Sequence, residues 1–256
     1  MPTYPVLLSI PHGGTLAPRE ISSRIALAPG DLFADSDAFT REIYGLGDKV
    51  AACMDTEIAR VYVDLNRATD DRPPQNPDGV VKTRTCHGRS IYFPGQDLDR
   101  PAADDLIEKY HAPYHRALLE TLRGHSNIEL FLDCHSMEAV GPDFSPDPGA
   151  SRPSFCLGGN HGQSCPPETV RRLARCLGEA FSLENHEITI DSPFAGGHIT
   201  RIYGNHPRPG VQIEMNRGLY LSAPWFDAER LTVAPARLAE LNRSFERALA
   251  LFFSCQ

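Results

Sequence analysis

The sequence predicts an α/β layered fold on three observations: short apolar runs of strand length, amphipathic stretches between them, and polar residues of catalytic type where the runs end. Runs that read as buried strands lie at 5–10 (PVLLSI), 60–65 (RVYVDL), 128–133 (IELFLD), 154–159 (SFCLGG), 187–190 (EITI) and 210–215 (GVQIEM). A helix is expected after Asp37, where Phe39, Ile43 and Val50 stand at roughly helical spacing, although Gly45 and Gly47 weaken the pattern. From Pro101 to Arg123, Leu106, Tyr110, Tyr114, Ala117 and Leu118 form an apolar stripe, with Asp99 placed to cap the helix and Pro113 to kink it. Pro166 opens a further helix carrying Val170, Leu173, Leu177 and Phe181. Leu238, Leu241, Phe245, Leu249 and Phe252 mark another close to the C-terminal end. Segments 68–79 and 141–153, dense in Pro, Asp and Gly, read as loops, and each follows a group of polar residues that it could cover.

A chain of 256 residues can bury one sizeable core, and a single domain over 1–256 is expected. Its 41% apolar and 23% charged residues match an ordinary globular protein, and no apolar run approaches the ~20 residues of a membrane span. The start, MPTYPVLLSI, lacks the basic and long apolar regions of a signal peptide. Seven cysteines, at 53, 86, 134, 156, 165, 176 and 255, include no CxxC pair, which argues against a disulfide framework and a zinc finger and suits a reducing cytoplasm. A formal charge of -8 without a Lys/Arg run makes nucleic acid a poor partner. GxSxG, P-loop and GxGxxG motifs are absent.

The functional expectation rests on the ends of the runs. The first leads into His12, the second into Asn66 and Arg67, the third into Asp133, His135 and Ser136, and the last into Glu214, Asn216 and Arg217. In open α/β sheets, ligands bind outside the carboxyl ends of the strands. Each signal alone is weak, since PHGG could be a tight turn and a histidine after a strand a structural one. Together, His, carboxylate and His from separate strand ends are ligand types that an open zinc site accepts, with a fourth position left for water. His111 and His115 face one side of a helix at i,i+4, but the middle glutamate of HExxH is missing and Pro113 stands between them, so a supporting or substrate contact is expected there. His198, after AGG, could reach the pocket, whereas His87, His125, His161, His186 and His206 sit in polar loops and read as solvated. Cys134 neighbours His135, but strand neighbours point to opposite faces, which argues against a Cys–His dyad.

SIPHGG, the DSD at 35–37, VDLNR, YHAPYH, LDCHSM, GGHITRIYG and QIEMNRGLY, in that order over residues 9–220, resemble the N-formylglutamate amidohydrolase family. These are zinc hydrolases whose fold is similar to that of carboxypeptidase-type exopeptidases. The resemblance implies a three-layer α/β/α fold with a central mixed sheet, and one zinc ion per chain held by His12, an acidic residue and His135. The HxxE motif of the exopeptidases is incomplete here, because Gly13, Gly14 and Thr15 follow His12. Asp37 is chosen over Asp35 as the acidic ligand because it abuts the helical pattern, where it could also simply cap the helix. Glu214 occupies the place of the family's general base. Asn66 and Arg67 resemble an Asn–Arg pair that holds a substrate carboxylate or polarises the scissile carbonyl.

Arg201 and Arg217 are further candidates for a substrate carboxylate, or could pair with Asp64 or Asp133 to brace the sheet. His115 and His198 are added as substrate contacts, and Asp133 as a hydrogen-bond partner of a ligand histidine. The implied activity is hydrolysis of a small N-acyl amino acid such as N-formyl-L-glutamate, giving formate and the amino acid. Another N-acyl amino acid, a small peptide or a cell-wall amide would use the same groups. A non-catalytic metal- or ligand-binding protein would keep the fold without turnover.

Overall fold

The computed structural model describes residues 3–143 and 145–254; Phe144, within the 141–153 loop, and Cys255 lie outside the described residues. In chain order the main elements are β1 (Tyr4–Ile10), α1 (Pro29–Asp35), α2 (Thr40–Tyr44), β2 (Val50–Asp55), α3 (Arg100–Leu106), α4 (Ala112–Gly124), β3 (Leu130–Met137), β4 (Phe155–Gly158), α5 (Pro167–Phe181), β5 (Ile188–Ile190), α6 (His198–Tyr203), β6 (Gly210–Asn216) and α7 (Pro235–Ser254). Six strands form one mixed sheet in the order β2-β1-β3-β6-β4-β5, with β4 antiparallel to β6 and the other pairings parallel.

Period-two alternation sorts the strand side chains between two layers. Val6, Leu8 and Ile10 of β1, Leu130, Leu132 and Cys134 of β3, and Val211, Ile213 and Met215 of β6 join α2, α5 and α7 in one buried cluster. Leu7 and Phe131 face the other way, onto Leu118 and Leu122 of α4 and Ile199 of α6. On this second face the carboxyl ends of the strands turn polar. Ser9 pairs in register with Asp133, Asp133 with Gln212, and His135 with Glu214. One layer is thus closed by hydrophobic packing along its whole length, while the other opens at the strand ends into a polar row.

Five of the six expected strands form, and the exception is 60–65. There Tyr62 and Val63 N–H groups both bond the Ala59 carbonyl, so the segment coils. Its Val61, Tyr62, Val63 and Leu65 are nonetheless buried in the second layer, as apolar as any strand. The expected continuity from Phe39 to Val50 also fails: α2 stops at Tyr44, and Val50 begins β2 at the sheet edge. Asp99 does cap the next helix, accepting from the Ala102 N–H at 3.1 Å. Pro113 is accommodated by a π turn at Ile107–His111 just before it, because a regular turn would drive its ring into the carbonyl four residues back. The six described cysteines are free, and no helix among the described residues is long and apolar enough to cross a membrane.

Candidate metal centre and active site

His12 follows β1, Asp37 lies between α1 and α2, and His135 is on β3; all three are buried. His12 Nδ1 and His135 Nδ1 stand 3.1 Å apart, and Asp37 Oδ2 is 3.5 and 3.2 Å from them. This triangle of ligand atoms matches the edges of a tetrahedron around an ion with bonds near 2.0–2.1 Å, which are about 3.3–3.4 Å. The outer nitrogens fix the tautomers. His12 Nε2 meets Asp64 Oδ1 at 2.7 Å and His135 Nε2 meets Asp133 Oδ1 at 3.1 Å. Carboxylates only accept, so each Nε2 donates and each Nδ1 turns a lone pair inward. Two inward lone pairs beside a carboxylate require a cation between them, either a proton or a metal ion.

Charge points the same way. Asp35, Asp37, Asp64, Asp133 and Glu214 are buried, and the cations among them are Lys82, Arg60 and Arg217. Lys82 is shared with Asp78 as well, so with neutral histidines the carboxylates outnumber the cations and the cluster is short of positive charge. The donor set therefore fits zinc, and mixed N/O ligation would also accept cobalt, manganese or iron.

Burial pushes the Asp37 carboxyl up, but hydrogen bonds from His12 and His135 and the charges of His12 and Arg60 outweigh it and hold Asp37 well below the usual range. Burial works against charge on His135, yet Asp133, Asp37 and Glu214 hold its ring well above the ordinary imidazole value. Glu214 goes the other way: desolvation raises its carboxyl to about 7, against the lowering charge of His135.

Around this centre lies a cavity of about 580 Å³, whose wall includes Asn66, Arg67, Arg201, Glu214 and Arg217. The two Pro-rich loops contribute Asp78 on one side and Pro142, Ser145, Pro146 and Arg152 on the other. Asn66 is fixed at both ends, its N–H donating to Asp64 Oδ1 at 2.9 Å and its Oδ1 accepting from the Ile199 N–H at 2.8 Å. Gly197 is needed there, because a Cβ at that position would run into the Asn66 amide. Arg67 forms ion pairs with Asp71 at 3.4 Å and Asp78 at 3.0 Å. Among the described residues, Arg201 is the arginine of the wall that has no carboxylate partner; its Nε donates to the Gly197 carbonyl at 3.2 Å.

Three expected roles change. Arg217 lines the cavity but is drawn into the centre, donating to Asp37 Oδ1 at 3.1 Å and Ser136 Oγ at 3.0 Å, so it takes the bracing alternative, on Asp37 rather than on Asp64 or Asp133. His115 and His198 are not on the cavity wall. Both ring nitrogens of His115 are engaged, by the Leu65 carbonyl and the Tyr203 hydroxyl, each at 2.8 Å. His111 stacks on it at 4.0 Å and bonds the Arg67 carbonyl at 2.9 Å, so the pair clamps the backbone on either side of Asn66. His198 lies 5.7 Å from His115, behind the same segment. His87, read as solvated, meets Glu138 at 3.0 Å. Cys134 faces the hydrophobic layer, and its burial pushes the thiol well above the usual range.

Sequence reading also missed Arg60, Lys82 and Gln212. Arg60 joins Asp37 Oδ1 at 3.1 Å to Asp64 Oδ2 at 2.9 Å. Lys82 is fully buried on Asp35 at 3.1 Å and Asp78 at 2.6 Å, and its carboxylates outweigh burial to keep it charged. Gln212 accepts from the Gly197 N–H and donates to Glu214 Oε1 at 2.8 Å. A charged residue set inside an apolar run, as in RVYV and VVKT, was the visible signal for the first two.

With this geometry established, comparison with known proteins is decisive for family. The model of the N-formylglutamate amidohydrolase family matches residues 4–221. The chain belongs to that family. The N-formylglutamate deformylase of Pseudomonas aeruginosa is 28% identical over 257 residues, covering 96% of this chain and 93% of that protein. The Pseudomonas putida N-formylglutamate deformylase is 28% identical over 225 residues, covering 85% and 82%. Among solved structures, the N-formylglutamate amidohydrolase of Ralstonia eutropha JMP134 superimposes with a TM-score of 0.81 at 22% identity, covering 99% of this chain and 94% of that one. An Agrobacterium tumefaciens gene product matches at 0.61 and 16%, covering 97% and 88%, a likeness of fold.

Proposed function

We propose that this family member is a metal-dependent amidohydrolase that cleaves N-formyl-L-glutamate, or a close N-acyl amino acid, to the free amino acid and formate. The observation that carries the reading is one of register: Glu214 lies directly across from His135 on neighbouring strands, so a buried carboxylate of raised proton affinity borders three convergent ligand groups. The names of the two Pseudomonas relatives support the substrate.

His12, Asp37 and His135 would hold the ion, which when bound supplies Lewis-acid chemistry, acidifying a water and polarising a carbonyl. Glu214 takes the proton of the attacking water and returns it to the leaving amine nitrogen. Gln212 leaves Glu214 one oxygen free for that work by occupying the other. Asn66 and Arg67, on the cavity wall, orient the acyl amide, and Arg201, which has no carboxylate partner among the described residues, is available for a substrate carboxylate.

The test is formate release from N-formyl-L-glutamate by purified protein, with chelator and with zinc restored. Release lost on chelation and regained with zinc supports both metal and substrate. No release from metal-loaded protein would sink the substrate assignment.

A further inference from the structure

Asp37 is the acidic member of the ligand set, and its two oxygens live in different surroundings. Oδ2 lies toward His12 and His135 and also accepts the Ser136 N–H at 3.1 Å. Oδ1 faces away and accepts from Arg60 Nη1 and Arg217 Nη2, each at 3.1 Å. A carboxylate oxygen offers two lone-pair directions, so two guanidinium bonds fill Oδ1, while the Ser136 N–H leaves Oδ2 one direction to spare. We propose that Arg60 and Arg217 hold Asp37 as a single-oxygen metal ligand, keeping the centre at three protein atoms and its remaining positions open to water and substrate. The inference rests on the metal-dependent reading above.

The two arginines act from opposite sides, and neither can follow Asp37 if it turns. Arg60 is tied to Asp64 Oδ2 at 2.9 Å, and Asp64 in turn holds His12 Nε2 at 2.7 Å. Arg217 is tied to Ser136 Oγ at 3.0 Å and the Ala34 carbonyl at 3.2 Å. For both oxygens of Asp37 to chelate an ion, Oδ1 would have to leave two charge-assisted bonds whose donors are held elsewhere. Two consequences follow for the ion. A carboxylate shared with two guanidinium groups gives less of its charge to the metal, and fewer protein atoms crowd it. Arg60 also ties one ligand, Asp37, to the carboxylate that orients another, His12, so a single side chain positions two of the three.

The measurement is the infrared difference spectrum of zinc binding, metal-loaded minus metal-free, with zinc content read on the same samples. A carboxylate bound through one oxygen separates its antisymmetric and symmetric stretches widely, and a chelating one brings them together. The wild-type protein should show the wide separation. Arg217→Met should narrow it by removing one of the two guanidinium bonds that hold Oδ1, and Arg217→Lys, which keeps a donor there, should retain the wide form. If Arg217→Met does not fold, Arg60→Met gives the same reading. One zinc per chain with a narrow separation in the wild type, or a wide one in both Met variants, would overturn the inference and leave the metal-dependent reading standing. Absence of bound zinc in the wild type would instead overturn that reading and the inference with it.

Discussion

Glu214 shows how one side chain acquires chemistry from its place on a strand. Alternation turns it, with Gln212, away from the hydrophobic layer that takes Val211, Ile213 and Met215. Desolvation lifts its carboxyl to about 7, and the Gln212 amide bonds one of its oxygens. On the proposed reading, in which Glu214 is the general base and holds no metal, Glu214→Gln should lower kcat by about 10²–10⁴-fold with zinc content unchanged. As the base must be ionised, kcat/KM should rise with pH through this carboxyl's range. A bound dication moves that limb below 7. Gln212→Leu deletes a donor to the ionised form, so the limb should move up in pH; a profile identical to wild type would show that Gln212 only fills space. His12, His135 and Glu214 could be picked out because each stands at or near a strand end, while Asp37 is chosen from the helical pattern it abuts and from the family resemblance. Arg60, Lys82 and Gln212 were not legible, because their partners come from turns and strands that only the fold brings near.

At the scale of elements, the strands legible in sequence were those whose apolar runs lie inside the sheet. RVYVDL carries the same composition but earns its burial as a coil, since Asp64 accepts from the Asn66 N–H and Arg67 N–H bonds back to the Asp64 carbonyl. Conversely, β2 (VAACMD) is a half-exposed edge strand of small and flexible residues, which leaves no strand signature. The coil is held from behind by the helix that carries His111 and His115. Burial and the neighbouring His111 lower the His115 ring to about 4, against an unfolded value near 6.5. Below about 6.5 the unfolded chain therefore takes the proton more readily, and this contribution to stability, present above that pH, is lost as pH falls toward 4. His115→Gln should flatten the fall of Tm between pH 6.5 and 4 in metal-free protein. An unchanged slope would place the titration elsewhere.

At the scale of the whole molecule, the layered fold was legible and the charge balance was not. Sequence counting spread 33 acids and 25 bases over the chain, whereas the structure concentrates five buried carboxylates and three cations at one end of the sheet. The two raised values have different causes: the neighbouring carboxylates outweigh burial to hold the proton on His135, whereas desolvation lifts Glu214. An incoming divalent ion must displace the His135 proton, so its affinity should rise with pH. Zinc buffered near a hundredfold over its Kd adds ~2.7 kcal/mol to the folded state. For a chain of this size, at about 2–4 °C per kcal/mol, that corresponds to a Tm gain of roughly 5–10 °C. At fixed free zinc the gain should be larger at pH 8 than at pH 6, because fewer protons compete for His135 Nδ1. Equal gains at both values would mean that zinc does not enter between His12, Asp37 and His135, and that protons alone hold the two imidazoles together.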